Sequence, residues 1–256
     1  MRLVSYLNRQ LITASKYKLG NKLTDGRQHT LSRTKMVQNM IMYMQDVPLF
    51  GKFFNYGCHC FTGGIRDMFA TTVPQQHAKP VDQPDNMCRN HERCHQCVKF
   101  DHGARCDAHK GYRFEARQDS VTGSKYITCL NENDSCQKAH CECDKALAYD
   151  LAEYEYIWSL LNHREWSNFD PANRCIVADS TKEIKARMVV DVQLKLAQKE
   201  DDKASMECCG EYPRRYPYHP VDDKGNVREC CGSTPFDPYT KECCLDGTPR
   251  QFGECN

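Results

Sequence analysis

The chain has 256 residues, including 18 cysteines, and a formal net charge of +1. Its mean hydropathy is −0.74, and it lacks the run of about 20 apolar residues that a membrane-spanning helix needs, so a soluble or peripheral protein is predicted. This many cysteines indicate either disulfides, which need an oxidising compartment, or metal ligands, which tolerate a reducing one.

The basic residues are concentrated at the start of the chain. Residues 1–35 carry eight Lys and Arg against one acid, and the remainder has a net charge of about −6. We predict that residues 1–35 are disordered, because no cysteine precedes Cys58 and short basic termini are usually solvated. Asn8, Arg9 and Gln10 interrupt the first apolar stretch, so no signal peptide is visible. The segment carries no nucleic-acid-binding motif, and no nucleic-acid partner is predicted.

Three helices and a hairpin are predicted in the middle of the chain. Apolar residues at three-to-four spacing between Met36 and Met44 predict an amphipathic helix, whose methionine-rich face suits a core or an exposed interface. Residues 85–100 predict a helix with Asp85 as its N-cap. Residues 134–166 predict a second long helix, and alternation on both sides of residues 119–124 predicts a β-hairpin.

The last part of the chain has a different character. Residues 179–206 place apolar side chains at i, i+4 spacing among charges, which predicts a solvated helical linker. Residues 207–256 form a tail with seven cysteines, six of them in adjacent pairs. Its segments PYHP and PFDP, at 217–220 and 235–238, echo each other. Such a short repeat needs cross-links because it can bury little core.

A candidate cation site lies in the glycine-rich run YGCHCFTGG. Its backbone carbonyls at His59, Phe61 and Gly63 occur at every second residue, and Ca²⁺ accepts carbonyl oxygens. The site would still need a carboxylate. Glu92 would supply it if a disulfide tied Cys60 in the loop to the following helix.

A candidate base stands beside this carboxylate. His91 could take a proton from water next to a metal that polarises an ester carbonyl. A base also needs an orienting partner, and Asp144 could accept the other ring N–H if a disulfide clamped the two long helices together.

Four motifs in order, YGCHCFTGG, PVDQPD, CRNHERC and CECD, resemble the secreted phospholipase A2 family over roughly Met36 to Cys175. The resemblance implies a mainly α, disulfide-rich fold with two antiparallel long helices, an N-terminal interfacial helix, a calcium loop and a small β-wing. We therefore predict a phospholipase A2-like domain at 36–178, the helical linker at 179–206, and the Cys-rich tail at 207–256.

The resemblance also implies five disulfides. They are Cys58–Cys175, Cys60–Cys88, Cys94–Cys143, Cys106–Cys136 and Cys129–Cys141. A further family bridge is missing at both ends, where this chain has Met87 and Asp150. Cys97 is left over and the tail has an odd number of cysteines, so we predict that Cys97 pairs with the tail or with another chain. This distribution of cysteines favours disulfides and a secreted, extracellular protein.

Several positions depart from the family pattern. Glu92 stands where the family has the metal-binding Asp, and Phe61 stands where it has a glycine. His95 replaces a tyrosine that supports the orienting aspartate, and Tyr112 matches the second such tyrosine, in the wing.

The function implied by the resemblance is calcium-dependent hydrolysis of the sn-2 ester of phospholipids at a membrane or aggregated lipid surface. His91 would be the base and Asp144 its partner, while Ca²⁺ would be held by His59, Phe61, Gly63 and Glu92. The departures predict weakened activity.

Two alternatives come from other classes of protein. The tail resembles the di-cysteine repeats of galaxin-like proteins, which suggests a catalytically silent extracellular or biomineral matrix protein that binds mineral through the tail. Cys88, His91, Cys94 and Cys97 also lie at zinc-like spacing, although side chains spread at i, i+3 along a helix cannot all close on one ion.

Overall fold

The computed structural model describes residues 33–62, 78–175, 206–222 and 225–255. Nearly all of the predicted linker, together with residues 1–32 and Gly63, lies outside these ranges. Within the described residues, no helix combines the length and apolarity needed to cross a membrane.

The first helix, α1, spans Arg33–Met44. Its methionine-rich face is buried in the main core, where Met36 and Met40 pack with Ile41, so of the two predicted uses of this face the core is the observed one. The helix begins three residues before the predicted position. The boundary at residue 35 was therefore wrong, because Arg33 is a buried part of the domain.

The second helix, α2, spans Gln83–His102. Its N-cap is Asp82, whose side chain accepts the backbone N–H of Asp85 at 3.0 Å, so the prediction of Asp85 as the cap was wrong. Asp85 is itself fully buried and accepts the backbone N–H groups of Cys58 and His59. This carboxylate thereby fixes the glycine-rich loop against the start of α2.

The third helix, α3, spans Cys136–Glu153 and is shorter than the predicted 134–166. Beyond Tyr154 the chain is held by tertiary contacts. The Glu155 carboxylate accepts the backbone N–H groups of Asp46 and Val47 and pairs with Lys52. These bonds draw the chain off the helix axis, so the predicted last turns form short 3-10 segments instead.

Helices α2 and α3 pack side by side. Bonded pairs between them, and just beyond the end of α2, are Cys94–Cys143, His95–His140 and Cys106–Cys136. As residue numbers rise along α2, those of the partners on α3 fall. The two helices therefore run antiparallel.

A two-stranded hairpin follows α2, with β1 at Phe114–Gln118 and β2 at Lys125–Cys129. Gly123 takes a φ of +73° in the turn, a conformation that favours glycine. The Asp119 carboxylate caps the turn by accepting the N–H groups of Val121 and Thr122. A short helix, α4, at Pro171–Arg174 lies near the end of the domain.

Five disulfides link the domain, and they join the same cysteines that the resemblance implied: Cys58–Cys175, Cys60–Cys88, Cys94–Cys143, Cys106–Cys136 and Cys129–Cys141. Cys97 bonds to Cys208 of the tail. The zinc alternative was wrong, because all three of its cysteines are disulfide-bonded and cannot ligate a metal as thiolates.

The described residues of the tail form three antiparallel hairpins. Their strands are β3 Glu207–Cys209, β4 Tyr216–Tyr218, β5 Glu229–Cys231, β6 Thr234–Phe236, β7 Lys241–Cys243 and β8 Pro249–Gln251. In each adjacent cysteine pair, the first cysteine bonds backwards along the chain and the second bonds forwards. The bonds are Cys97–Cys208, Cys209–Cys230, Cys231–Cys243 and Cys244–Cys255.

The first tail hairpin is also held by ion pairs on both long helices. Arg215 contacts Asp101 on α2 at 2.7 Å, and Arg214 contacts Asp150 on α3 at 2.8 Å. Asp150 occupies the position at which the resemblance implied a cysteine. Arg214 of the tail thus forms an ion pair with Asp150, one of the two positions from which the family bridge is missing.

Candidate active site

A histidine and an aspartate meet between the two long helices. His91 on α2 places its Nε2 2.6 Å from Oδ1 of Asp144 on α3. Both side chains are buried. The Cys94–Cys143 disulfide lies next to this contact and fixes the separation of the helices.

Asp144 is surrounded by further donors. Arg33 donates from Nε to Oδ2 and from Nη2 to Oδ1, both at 2.8 Å, and the hydroxyl of Tyr112 donates to Oδ2 at 2.8 Å. Burial alone would raise the pKa of Asp144, but Arg33 and the neighbouring histidines hold it well below its ordinary value. The carboxylate is therefore ionised, and burial together with its charge raises the pKa of Tyr112.

A row of three imidazoles extends away from Asp144. The Nε2 of His95 lies 2.9 Å from that of His91, and its Nδ1 lies 2.9 Å from Nδ1 of His140. Burial and the charge of Arg33 lower the pKa of His95 well below its ordinary value and that of His140 to about 3. Both rings are therefore neutral near pH 7.

The glycine-rich loop places the side chain of Phe61 beside His91. Phe61 is buried, packs 5.3 Å from the ring of Phe50, and meets the ring of His91 edge-on at 6.3 Å. Its φ of +50° lies in the left-handed region, which is costly for a bulky side chain. The substitution for glycine thus brings an aromatic wall to one side of His91.

The Glu92 carboxylate reaches the same loop. Its Oε2 lies 3.3 Å from Nδ1 of His59, whose Nε2 contacts the carbonyl of Ala78 at 3.0 Å. Burial would lower the pKa of His59, but the bond to Glu92 and nearby acids raise it. The extra methylene of Glu92 therefore does not keep its carboxylate away from the loop.

Comparison with known proteins gives this arrangement a family. The phospholipase A2 family model matches residues 34–160, which contain both long helices, all but the first residue of α1, the glycine-rich loop and the hairpin of β1 and β2. The central domain belongs to the phospholipase A2 family. This confirms the resemblance seen in the sequence, and the match ends before the tail.

Individual relatives are distant. The phospholipase A2 domain is 27% identical to an acidic phospholipase A2 of Bungarus fasciatus over 104 residues, covering 41% of this chain and 63% of that one. It is 36% identical to a membrane-associated phospholipase A2 of Cavia porcellus over 98 residues, covering 38% and 53%. A basic phospholipase A2 of Naja sagittifera is 26% identical over 123 residues, covering 48% and 82%. The chain thus spans less than two thirds of the first two relatives.

The candidate site of this phospholipase A2 family domain contains two residues that the sequence did not reveal. Arg33 was assigned to the solvated basic segment, because its partners Asp144 and His95 are 111 and 62 residues away. His140 could have been noticed, because it precedes Asp144 by one helical turn and so shares its face.

The buried neutral His140 predicts acid sensitivity. Its pKa of about 3 in the folded protein lies below the value of about 6.5 in an unfolded chain. Between these values the unfolded state binds more protons, so the free energy of unfolding should fall as the pH is lowered through this window. One such histidine contributes a slope of up to about 1.4 kcal/mol per pH unit.

This prediction is measured by urea unfolding of the oxidised protein between pH 7 and pH 4. His140→Gln should flatten the pH dependence, and His109→Gln, at an exposed histidine, is the control for loss of an imidazole. An unchanged slope in His140→Gln would contradict the burial of a neutral ring.

Proposed function

We propose that the domain hydrolyses the sn-2 ester of phospholipids, with His91 as general base and Asp144 as its orienting partner. The observation that carries this proposal is the buried contact of 2.6 Å between His91 Nε2 and Asp144 Oδ1. An imidazole whose Nε2–H donates to a carboxylate keeps the lone pair on Nδ1, which can then accept a proton.

In the proposed reaction Nδ1 of His91 takes a proton from water as the water oxygen attacks the ester carbonyl. The ionised Asp144 stabilises the imidazolium that forms and keeps the ring oriented. The proton then passes from Nδ1 to the leaving alcohol, which restores the neutral ring. Phe61 lies beside this ring and is proposed to narrow the space for substrate, which would weaken activity.

The loop and Glu92 fit a calcium ion in their donor chemistry, because hard oxygen ligands from carbonyls and a carboxylate suit Ca²⁺. The proposed ligands are the carbonyls of His59, Phe61 and Gly63 and the carboxylate of Glu92, which contacts the imidazole of His59 in the loop. When bound, the ion would supply Lewis-acid stabilisation of the oxyanion. His95 and Tyr112 are proposed to support Asp144.

We further propose secretion to an oxidising, extracellular compartment, supported by nine disulfides among the described residues. The proposed substrate surface is a phospholipid membrane or lipid aggregate. Because the first tail hairpin contacts α2 and α3, we propose that the tail braces the domain, in place of the alternative of a catalytically silent, mineral-binding matrix protein.

Glu92 variants test the metal role. Wild-type hydrolysis of phospholipid vesicles should require calcium and stop with a chelator. Glu92→Gln should weaken calcium binding about tenfold or more, because it removes the charged ligand, while Glu92→Asp should bind calcium at least as tightly as the wild type. Isothermal calorimetry and vesicle hydrolysis measure both effects.

Glu132→Gln, at an exposed acid outside the site, is the matched control and should change neither quantity. The proposal fails if calcium binding is undetectable in the wild type and Glu92→Asp gains neither binding nor hydrolysis.

A further inference from the structure

Arg33 occupies the centre of the buried cluster, yet no step of the proposed reaction uses it. The guanidinium is fully buried. Its Nη2 contacts both Oδ1 of Asp144 and Nε2 of His95, and its Nη1 donates to the carbonyl of Ala108 at 3.2 Å. One cation from the first turn of α1 therefore meets residues of both long helices.

The contacts of His95 Nε2 select its protonation. A guanidinium can only donate, and Arg33 donates towards this nitrogen. The Nε2 of His91 lies 2.9 Å away and also bears the proton proposed to bond Asp144. A proton on His95 Nε2 would oppose both donors and satisfy only Asp144 Oδ1, at 2.8 Å. A lone pair there accepts from Arg33 and can share the one Nε2 proton of His91 with Asp144, so it suits both donors and is favoured.

The rest of the row agrees with this assignment. With Nε2 as acceptor, a neutral His95 carries its proton on Nδ1 and donates it to Nδ1 of His140 at 2.9 Å. His140 then bears its proton on Nε2, which faces the sulfur of Cys106 at 3.3 Å. Each ring has one donor and one acceptor, and the order of donation runs from Arg33 outwards.

We propose that Arg33 is a positioning residue that sets the tautomers of the histidine row. By donating to both Asp144 and His95, it prevents His95 from competing with His91 for the carboxylate. His91 then remains the histidine that donates to Asp144, with its Nδ1 lone pair available for catalysis. This inference rests on the proposed function for its catalytic meaning, but the tautomers can be measured without activity.

The charges around His95 also favour a neutral ring with a lone pair on Nε2. Besides Arg33, the groups that face His95 include His91 on α2, and Asp144 and His140 on α3. Burial and the positive charge of Arg33 disfavour protonation of His95. Without the guanidinium, His95 would gain protons more easily and could donate from Nε2 to Asp144.

The first experiment measures tautomers in the wild-type chain by NMR of ¹⁵N-labelled histidine near pH 7. Signals are assigned with His→Gln variants. We expect protonated Nε2 in His91 and His140 and protonated Nδ1 in His95. A proton on Nε2 of His95 in the wild type would overturn the inference, whether or not any variant folds.

The second experiment is a double-mutant cycle on hydrolysis. Arg33→Gln should lower kcat about a hundredfold, the order expected for a misplaced catalytic group, with little change in KM. If Arg33 acts through His95, His95→Phe should make the Arg33 substitution much less harmful, whereas independent, multiplicative losses would overturn the inference. Lys35→Gln removes an exposed charge from the same helix and should leave kcat unchanged.

These outcomes separate the two proposals. If the wild type shows the expected tautomers but no calcium-dependent hydrolysis, the proposed function fails while the role of Arg33 in ordering the row stands.

Discussion

His91→Gln and Asp144→Asn are expected to differ sharply in stability although both should strongly slow hydrolysis. Loss of the base should lower kcat by about 10²- to 10⁴-fold with a modest change in stability, because Arg33 and Tyr112 still satisfy Asp144. Asp144→Asn should lose activity similarly and also destabilise the fold by about 3–5 kcal/mol, because the buried guanidinium of Arg33 loses its counter-charge. Urea unfolding of oxidised protein, beside vesicle hydrolysis, measures both.

A double replacement provides the control. Arg33→Met with Asp144→Leu removes both charges together, and buried ion pairs replaced by apolar side chains often keep their stability. This variant should recover most of the loss seen in Asp144→Asn while remaining inactive. If Asp144→Asn unfolds at the same urea concentration as the wild type, the ion pair does not contribute as described.

Removing the Cys97–Cys208 disulfide is the second large perturbation. The bond closes a sequence separation of 111 residues, and loss of a native disulfide typically costs about 2–5 kcal/mol. Cys97→Ser with Cys208→Ser should therefore destabilise the domain, leaving the ion pairs of Arg214 and Arg215, together with the packing of Tyr212 and Tyr216 on the two long helices, to hold the tail. Those ion pairs are partly exposed and weaken with salt, so the loss should grow at high ionic strength.

The other end of the tail supplies a matched control. Cys244→Ser with Cys255→Ser removes a bond with a sequence separation of 11 residues. This bond is the last of the four successive disulfides of the tail, whereas Cys97–Cys208 is the first and joins the tail to α2. Trp158 packs against the domain core, so its fluorescence reports unfolding of the domain. Denaturant unfolding measured by this fluorescence should show little change in this variant. Equal losses in the two double variants would contradict a bracing role for the tail.

Local signals in the sequence predicted much of the fold. The spacing of Met36 and Met40 was sufficient to predict α1, because these residues lie on one face of the helix. The turn around Gly123 was sufficient to predict the β1–β2 hairpin, because its hydrogen-bond partners lie within a few residues. The cap of α2 was assigned wrongly because Asp82 and Asp85 are both suitable residues. The choice between them depends on the loop. Its N–H groups donate to the Asp85 carboxylate, and Asp82 caps the helix by accepting the N–H of Asp85.

Long-range contacts account for the remaining differences. Arg33 looked like one more charge in a basic segment until its distant carboxylate was in place. The end of α3 depends on Glu155 bonding to a loop more than 100 residues earlier. The tail's position on α2 and α3 depends on Cys97, whose partner the spacing left open.

The tail disulfides join the three hairpins in chain order, so the number of hairpins could change without disturbing the first ones. Because the disulfides that follow Cys97–Cys208 join consecutive hairpins or close the last one, as in other linear repeats, one more hairpin with its own cysteine pair could be inserted before Cys255, and only the last bond, Cys244–Cys255, would then have to re-pair. Cys255 fills the place that the first cysteine of a following repeat would take. The chain can thus lengthen or shorten this appendage by whole units while the site between α2 and α3 stays unaltered.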